Sequence, residues 1–377
     1  MIRILQVIGA MDRGGAETML MNLYRAIDRG RIQFDFLVHE QRECDYDQEI
    51  YDLGGNIYRL PRLNGLNYFT YRRLCREFFA QHSEHPIVHG HIGSSAAIYL
   101  SEAKKTGRVT IAHSHAQSFL TGIQKIGFDF FSRPTRDVAD WFFGCSYEAG
   151  RDRFGDRVVQ GDRFFILDNG IDVERYRCDD VAHERAKHAL GLDNLPVVGH
   201  VGRLAPEKNH AFLLEAFALL LKQVPDAVLL LVGRGPLEDE LKARAFELGI
   251  AHSVRFMGIR TDVPDLLRAM DVFAFPSIKE GLPLAVVESQ ASGLPTLIST
   301  GVPERAIVSD KGMRVPCDNG VVIWANLMNK ELDEAGRFPR TDCVEQVRSH
   351  GFDVVDTARR LQAFYFQLAS GMAPSRF

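Results

Sequence analysis

Short hydrophobic runs alternate with segments of helical period along the first half of the chain. The runs that predict strands lie at 4–8, 34–38, 87–89 and 109–112, and the segments that predict helices lie at 16–27, 46–53 and 95–105. This alternation is typical of βαβ units around a parallel sheet. Residues 1–171 are therefore predicted to form an α/β domain.

The same alternation is clearer in the second half of the chain, where it restarts near Leu195. Strands are predicted at 197–201, 228–232, 254–256, 272–275 and 296–298, with helices between them at 211–222, 236–248, 263–270 and 284–291. This pattern predicts a doubly wound sheet over 195–351. The polar stretch 172–194 carries charge but little strand signal, and we expect it to be the linker between two domains.

An amphipathic segment, 352–370, follows the second domain. Its period alone allows packing on either domain, and we expect it to pack back on the first. Two Rossmann-like, doubly wound domains joined by one linker would face each other across a cleft. Ligands of open α/β sheets bind at the carboxyl ends of the strands.

Composition excludes several other classes of protein. A chain of 377 residues exceeds what one core usually serves, and a net charge of −4 provides no basic field for nucleic acid. The six cysteines include no C-x-x-C pair, so neither a zinc site nor a disulfide framework is expected. With no export signal and no apolar run of about 20 residues, we expect a cytoplasmic protein.

The strongest chemical signal is the segment 275–288, a buried strand followed by a loop and a helix that is predicted to open at Pro283. Backbone N–H groups at such a helix start, with Gly281 allowing close approach, bind anions. Glu280 and Glu288 can accept hydrogen bonds from sugar hydroxyls. Either glutamate alone would be read as an ordinary surface acid, and the strand, loop and helix context favours binding.

A second signal follows the strand 197–201, where Arg203 and Lys208 lie five residues apart in a loop before a helix. A forked guanidinium and an ammonium at the carboxyl edge of a sheet suit a diphosphate. The alternative is a solvated turn in which Lys208 neighbours Glu207.

Together these motifs resemble the retaining GT-B glycosyltransferases of family 4, including the bacterial exopolysaccharide and capsule group. The resemblance is carried by Gly202 and Arg203 through Lys208, by V-G-R-G-P at 232–236, by F-M-G-I-R at 256–260, by Glu280 with seven residues to Glu288, and by the glycine loop at 8–18. It covers nearly the whole chain and implies the GT-B fold.

The resemblance also implies a role for each candidate residue. Arg203 and Lys208 would neutralise the donor pyrophosphate, Glu280 would bind the sugar, and Glu288 the ribose. The backbone around Ile259 would meet the base. The remaining predicted donor contacts are Gly202, Gly233, Gly281, Leu282 and Pro283, with Gly233 and Gly235 letting their loop approach the nucleotide.

In the first half, Gly14 and Gly15 follow a strand and open a helix, so their loop could bring N–H groups to the donor. True dinucleotide spacing of three glycines is absent, which disfavours a Rossmann dehydrogenase. Glu17 is interpreted as an acid that complements the helix dipole.

Histidines end two strands of the first half. The family pattern points to His115 as the one near the reacting centre, where an imidazole could donate to a sugar hydroxyl or orient the acceptor. His89 and His91 are supporting candidates. No carboxylate follows at ligand spacing and the family works without a divalent ion, so neither a metal nor a cofactor is expected.

The stretch 53–76 contains five arginines and several aromatic residues. It would suit anionic lipid headgroups or a lipid pyrophosphate, or it is a solvated helix face with aromatics in the core.

The function implied is transfer of a sugar, with retention, from a nucleoside diphosphate donor such as a UDP-sugar to a glycan or lipid-linked acceptor in surface polysaccharide synthesis. Two alternatives remain, a UDP-sugar epimerase of GT-B fold and a non-catalytic nucleotide-sugar-binding subunit. First-domain loops such as 116–133 are expected to select the acceptor.

Overall fold

A computed structural model describes residues 1–115 and 132–374. The chain divides into two compact units. Unit 1 contains Met1–Gly170 together with the C-terminal helix from Val354, and unit 2 is the continuous segment Ile171–Asp353.

Unit 1 is built on a seven-stranded parallel sheet of order β3-β2-β1-β4-β5-β6-β7. Its strands are β1 Ile2–Ile8, β2 Ile32–Val38, β3 Ile57–Arg59, β4 Ile87–Gly90, β5 Val109–Ser114, β6 Trp141–Gly144 and β7 Phe164–Ile166. Its helices are α1 Gly15–Ala26, α2 Asp47–Asp52, α3 Tyr68–Gln81, α4 Ala96–Lys104, α5 Thr135–Val138, α6 Tyr147–Phe154 and α7 Asp156–Val159. The predicted α/β class is confirmed.

The last helix, α15 Val354–Ala369, packs on unit 1 beside α1. Its apolar face is buried at Leu361, Phe364 and Tyr365, and the Phe364 ring lies 5.0 Å from that of Phe143. Burial of three such side chains stabilises the docked helix by several kcal/mol, at about 1.5–3 kcal/mol each.

Unit 2 is built on a six-stranded parallel sheet of order β10-β9-β8-β11-β12-β13. Its strands are β8 Val197–Val201, β9 Val228–Val232, β10 Val254–Gly258, β11 Val272–Phe275, β12 Thr296–Ile298 and β13 Gly312–Arg314. Its helices are α8 Asp180–Ala189, α9 His210–Leu220, α10 Glu238–Glu247, α11 Val263–Ala269, α12 Leu284–Ala291, α13 Val321–Ala335 and α14 Val344–Ser349. The doubly wound second sheet is also as predicted.

The stretch predicted as a linker, 172–194, contains α8 and belongs to unit 2. Two of its side chains bind Asp271 of the same unit. Lys187 Nζ lies 2.7 Å from a carboxylate oxygen of Asp271, and His183 Nε2 lies 3.3 Å from the other. Asp271 also accepts the backbone N–H of Val197 at the start of β8.

None of the helices in the described ranges is long and apolar enough to cross a bilayer. All six cysteines lie in those ranges, and each carries a free thiol.

Candidate functional site

Three loops at the carboxyl edge of the unit 2 sheet hold one another in place. The Asn209 side-chain amide donates to the carbonyl of Pro276 at 3.2 Å, and the Ile278 N–H donates to the carbonyl of Glu207 at 2.8 Å. The Glu280 N–H donates to the carbonyl of Gly301 at 3.0 Å. The loops after β8, β11 and β12 therefore form one platform, which carries Arg203, Lys208 and Glu280.

Lys208 and Glu280, which are 72 positions apart in the sequence, form an ion pair on this platform. Lys208 Nζ lies 2.6 Å from Glu280 Oε1, and both side chains are about 15 % exposed or less. The ammonium also lies 4.9 Å from the ring centre of Phe275, at cation–π distance. The alternative in which Lys208 neighbours Glu207 in a solvated turn is wrong, because its partner is Glu280.

Arg203 lies on the same loop as Lys208 in a different environment. The residue is exposed, and its guanidinium makes no hydrogen bond or ion pair with any residue that the structure describes. A permanently charged, planar donor that has no protein partner is free to bind an anion.

Two buried histidines lie beneath Lys208. His200 Nδ1 donates to the carbonyl of Ala274 at 2.9 Å, and the ring stacks on Phe275 at 5.1 Å. The His210 ring lies 4.5 Å from that of His200. Burial lowers the pKa of both, in His210 to about 4 with a smaller effect of Lys208. Both imidazoles are therefore neutral at neutral pH.

Glu288 lies in the middle of α12 and is only 7 % exposed. Burial raises the pKa of its carboxyl group to about 6, while a hydrogen bond from the Tyr176 hydroxyl and the charge of Arg175 oppose the rise. Tyr176 lies in the stretch interpreted as a linker, and the sequence pattern did not indicate it as a partner of Glu288.

The helix that carries Glu288 has the bounds that its hydrophobic pattern predicted, 284–291, but it does not open at Pro283. Pro283 is the residue before the helix, with extended backbone angles, and α12 starts at Leu284. Leu282 and Pro283 are buried, whereas Gly281 is half-buried beside Glu280. Proline fixes its own φ and so favours a sharp entry into the helix.

The glycines of the β9 loop serve the protein's own packing. A Cβ at Gly233 would overlap the carbonyl oxygen of Gly202, and one at Gly235 would overlap the carbonyl oxygen of Leu204. Backbone hydrogen bonds join the same loops, from Gly202 N–H to Val232 at 2.9 Å and from Leu204 N–H to Arg234 at 3.0 Å. The loop after β8 lies against both glycines, and the approach of a nucleotide to Gly233 and Gly235 stays a prediction.

Ile259, predicted beside the base, follows Gly258 at the end of β10 and is 52 % exposed. Gly258 has a φ of +64°, and its carbonyl accepts the N–H of Gly233 at 2.9 Å. The end of β10 therefore lies beside the β9 loop, and the Ile259 side chain remains exposed there.

In unit 1, Gly14 directly precedes α1 and Gly15 is its first residue. The Glu17 carboxylate folds back over Gly14, where a Cβ would overlap it, whereas no atom lies within 4 Å of a Cβ at Gly15. Burial raises the pKa of Glu17. Of the two glycines, Gly15 is the one with open space beside it.

Four histidines lie on one face of the unit 1 sheet, at the ends of β4 and β5. They are His89, His91, His113 and His115. His91 Nδ1 lies 2.7 Å from His115 Nε2, and His91 Nε2 lies 2.9 Å from Gln6 Oε1. His89 Nδ1 lies 2.6 Å from the Tyr365 hydroxyl. Burial lowers the pKa of all four, to about 3 for His89 and His115.

The three histidines His89, His91 and His113 have ring nitrogens within 4.8 Å of one another, a grouping that could hold a metal ion. Two nitrogens on a tetrahedral zinc ion lie about 3.3 Å apart, given bonds of about 2.0–2.1 Å. The rings of His89 and His91 are stacked at 4.6 Å and 23°, so their in-plane lone pairs run side by side.

The basic segment 53–76 is largely neutralised within unit 1. Arg72 and Arg76 pair with the buried carboxylate of Glu102, at 2.7 and 3.3 Å. In the same segment Leu66 is 98 % exposed and Phe69 is 84 % exposed.

The loop 116–133, expected to select the acceptor, lies mostly outside the described residues.

Comparison with known proteins assigns a family to each part of the chain. The family described as Glycosyltransferase Family 4 matches residues 13–175, and the family described as Glycosyl transferases group 1 matches residues 183–335.

One curated relative is similar along almost the full chain. EpsF of Bacillus subtilis (strain 168), whose name assigns it to the glycosyltransferases, is 35% identical over 373 residues, which is 96% of each chain. The UDP-Gal:alpha-D-GlcNAc-diphosphoundecaprenol alpha-1,3-galactosyltransferase of Escherichia coli is 36% identical over 209 residues, 54% of each chain. Among solved structures, Anabaena Alr3699/HepE in complex with UDP-glucose has a TM-score of 0.78 at 19% identity, with 98% of this chain and 100% of that one covered.

Proposed function

Because this chain belongs to the family 4 glycosyltransferases of GT-B fold, we propose that it transfers a sugar from a UDP-sugar to a hydroxyl of a glycan or lipid-linked acceptor in surface polysaccharide synthesis. The observation that carries the proposal is the platform of unit 2, where Lys208 pairs with Glu280 and the loop of Lys208 also carries Arg203, which has no partner among the described residues. The names of two relatives support the donor and acceptor classes, since one names UDP-Gal and a diphosphoundecaprenol substrate and the other a complex with UDP-glucose.

The chemistry proposed for the platform is stabilisation of the leaving group. Negative charge grows on the β-phosphate as the glycosidic bond breaks, and fixed cations aimed at it lower the barrier. Arg203 and Lys208 supply those cations. When the donor binds, Lys208 exchanges its ion pair with Glu280 for the phosphate, which releases the Glu280 carboxylate for the sugar hydroxyls.

We further propose that the anomeric configuration is retained. The acceptor hydroxyl attacks from the face that the nucleotide leaves, and its proton departs through the donor phosphate. Because Arg203 and Lys208 supply the positive charge, the proposal includes neither a metal ion nor another cofactor.

The direct test incubates the protein with a panel of UDP-sugars, with and without polyprenyl diphosphate-linked sugars, and measures UDP release and the product by NMR. We expect acceptor-dependent release, a retained anomeric centre and the same rate in EDTA. An inverted product would contradict the mechanism. Epimerised UDP-sugar without acceptor would indicate the epimerase, and UDP binding without turnover would indicate a binding subunit.

The raised pKa of Glu288 predicts a pH-dependent donor KM. A carboxylate accepts hydrogen bonds from ribose hydroxyls, whereas the neutral acid has lost one accepting oxygen. With a pKa of about 6, only about one tenth of Glu288 is ionised at pH 5, so the donor KM should be about tenfold higher there than at pH 8. Initial rates against donor concentration from pH 5 to 8 measure this.

Two variants test the assignment to Glu288. Glu288→Gln should raise the donor KM and remove its dependence on pH between 5 and 8. Tyr176→Phe deletes the hydrogen bond that lowers the pKa of Glu288, so it should move the inflection to higher pH. A Glu288→Gln enzyme that keeps the wild-type pH profile would show that another group titrates.

We also propose that the protein works in the cytoplasm at the membrane surface, through the exposed side chains of Leu66 and Phe69 and nearby arginines. Each apolar side chain is worth about 1.5–3 kcal/mol when fully buried in an apolar phase. Leu66→Ser with Phe69→Ser should therefore weaken binding to phosphatidylglycerol vesicles at least about tenfold in a sedimentation assay. The matched control is Phe246→Ser, a 78 % exposed phenylalanine in unit 2. Equal binding by both variants would refute the proposal.

A further inference from the structure

A chain of hydrogen bonds in unit 1 runs from the last helix to His115. The Gln6 amide nitrogen donates to the Tyr365 hydroxyl at 3.4 Å, which turns the amide oxygen toward His91. That oxygen lies 2.9 Å from His91 Nε2, and His91 Nδ1 lies 2.7 Å from His115 Nε2. The side chains of Gln6 and Tyr365 are almost fully buried, and those of His91 and His115 are half-buried.

The chemistry of the amide decides where the protons lie. The oxygen of an amide only accepts hydrogen bonds, so His91 carries its proton on Nε2. Burial lowers the pKa of His91 well below its usual range, so the ring is neutral and Nδ1 is bare. The proton between the two rings therefore belongs to Nε2 of His115. Since His115 is also neutral, its Nδ1 carries a lone pair.

We propose that Gln6 and His91 are positioning residues that hold His115 as its Nε2–H tautomer, so that His115 Nδ1 accepts a hydrogen bond from a carbohydrate hydroxyl of the bound substrate. The atom is shielded from water and has no hydrogen-bond partner among the residues described. A buried lone pair without a donor costs free energy that a bound hydroxyl recovers. The inference rests on the proposed function, because the hydroxyl belongs to a substrate of the transferase.

The hydrogen-bonded series Gln6, His91 and His115, called the relay below, reverses the expected role of His115. Its only N–H is engaged by His91, so it cannot donate to a sugar hydroxyl, which was one of the roles expected from the sequence. The substrate group must supply the proton instead. A sugar in which fluorine or hydrogen replaces that hydroxyl cannot do so.

The tautomers can be measured without any substrate. Long-range proton–nitrogen correlation spectra of protein carrying ¹⁵N-labelled histidine distinguish a bare ring nitrogen from a protonated one. We expect a bare Nδ1 and a protonated Nε2 in both His91 and His115 at neutral pH. A protonated Nδ1 in His115, or a mixture of both tautomers, would overturn the proposal.

Kinetics test whether the relay matters for transfer. Gln6→Leu removes the accepting oxygen and should lower kcat at least tenfold with a smaller change in donor KM, while Gln6→Glu keeps an acceptor and should restore most of kcat. The matched control is Gln33→Leu, which removes another buried glutamine of unit 1, bonded to the Leu53 carbonyl at 3.0 Å.

The outcomes separate the relay from the activity itself. If Gln6→Leu keeps the kcat of Gln33→Leu, or loses activity with the His115 tautomer unchanged, the relay is refuted. If Gln6→Leu does not fold, the spectra of the wild-type protein still decide the tautomer. If the wild-type protein shows the expected tautomer but transfers no sugar from any donor, the proposed function is refuted. The tautomer of His115 is then still established.

Discussion

Replacing Arg203 with alanine is expected to lower kcat about 100-fold or more and to leave the midpoint of thermal unfolding unchanged. Removal of one preorganised donor that binds developing charge typically costs a factor of about 100–1000, and 100-fold corresponds to about 2.7 kcal/mol of transition-state stabilisation. The guanidinium is exposed and contacts no partner among the residues described, so its loss removes little from the fold. Steady-state rates and thermal melts measure the two effects separately.

Lys208→Ala should lower kcat by a similar factor, with a different effect on stability. This change leaves the Glu280 carboxylate, which is 13 % exposed, without its ion-pair partner, so the melting temperature should fall. Adding Glu280→Gln to Lys208→Ala should recover part of the stability and none of the rate.

The control for both cations is Lys222→Ala, an exposed lysine just after α9, which should leave kcat within about twofold of wild type. If Arg203→Ala, Lys208→Ala and Lys222→Ala had similar small effects on kcat, neither cation would be stabilising the leaving group.

Gly233→Ala is expected to destabilise unit 2 by about 3 kcal/mol or more. The residue has a φ of +134°, in the region that side chains rarely adopt, and a Cβ would overlap the carbonyl oxygen of Gly202. Backbone strain and overpacking cost about 1–3 kcal/mol each, and the overlapped atom is backbone that is tied to β9 by a hydrogen bond. Urea denaturation followed by circular dichroism would report the loss.

Gly249→Ala separates the two causes of that loss. Gly249 also has a positive φ, +72°, but no atom lies within 4 Å of its Cβ position. Its substitution should cost only the backbone strain, about 1 kcal/mol. Equal costs for the two variants would show that the approach of the two loops is not what requires Gly233.

The sequence predicted those parts of the fold that carry a strong periodic signal. Strands β8, β9, β11 and β12 and helix α12 have the predicted bounds, because each is a buried hydrophobic run or a helix between clear breaks. Strand β6, which has four residues and lies between β5 and β7, was missed. The edge strands β3, β7 and β13 were missed as well. Each has three residues and one unpaired side, so its pattern is too short and too mixed to indicate a strand.

The residues of the candidate site were predicted from the sequence, but their partners were not. Arg203, Lys208 and Glu280 are local motifs at strand ends, and sequence reasoning placed them on the same sheet edge. The pairing of Lys208 with Glu280, and of Glu288 with Tyr176, depends on contacts between distant segments, which spacing in the sequence does not encode. The sequence pattern did not indicate a role for Gln6, because its contact with His91 joins two strands that are far apart in the sequence.

The return of α15 to unit 1 sets the order in which the protein folds during its synthesis. Unit 2 is one continuous segment and can form as soon as it has left the ribosome, whereas unit 1 waits for α15, which is translated after the whole of unit 2. Until Tyr365 emerges, the face of the nascent sheet that carries the histidines stays uncovered and exposed to chaperones or to other chains. Ribosomal stalling between unit 2 and α15 would therefore harm the first domain, although most of that domain was made first.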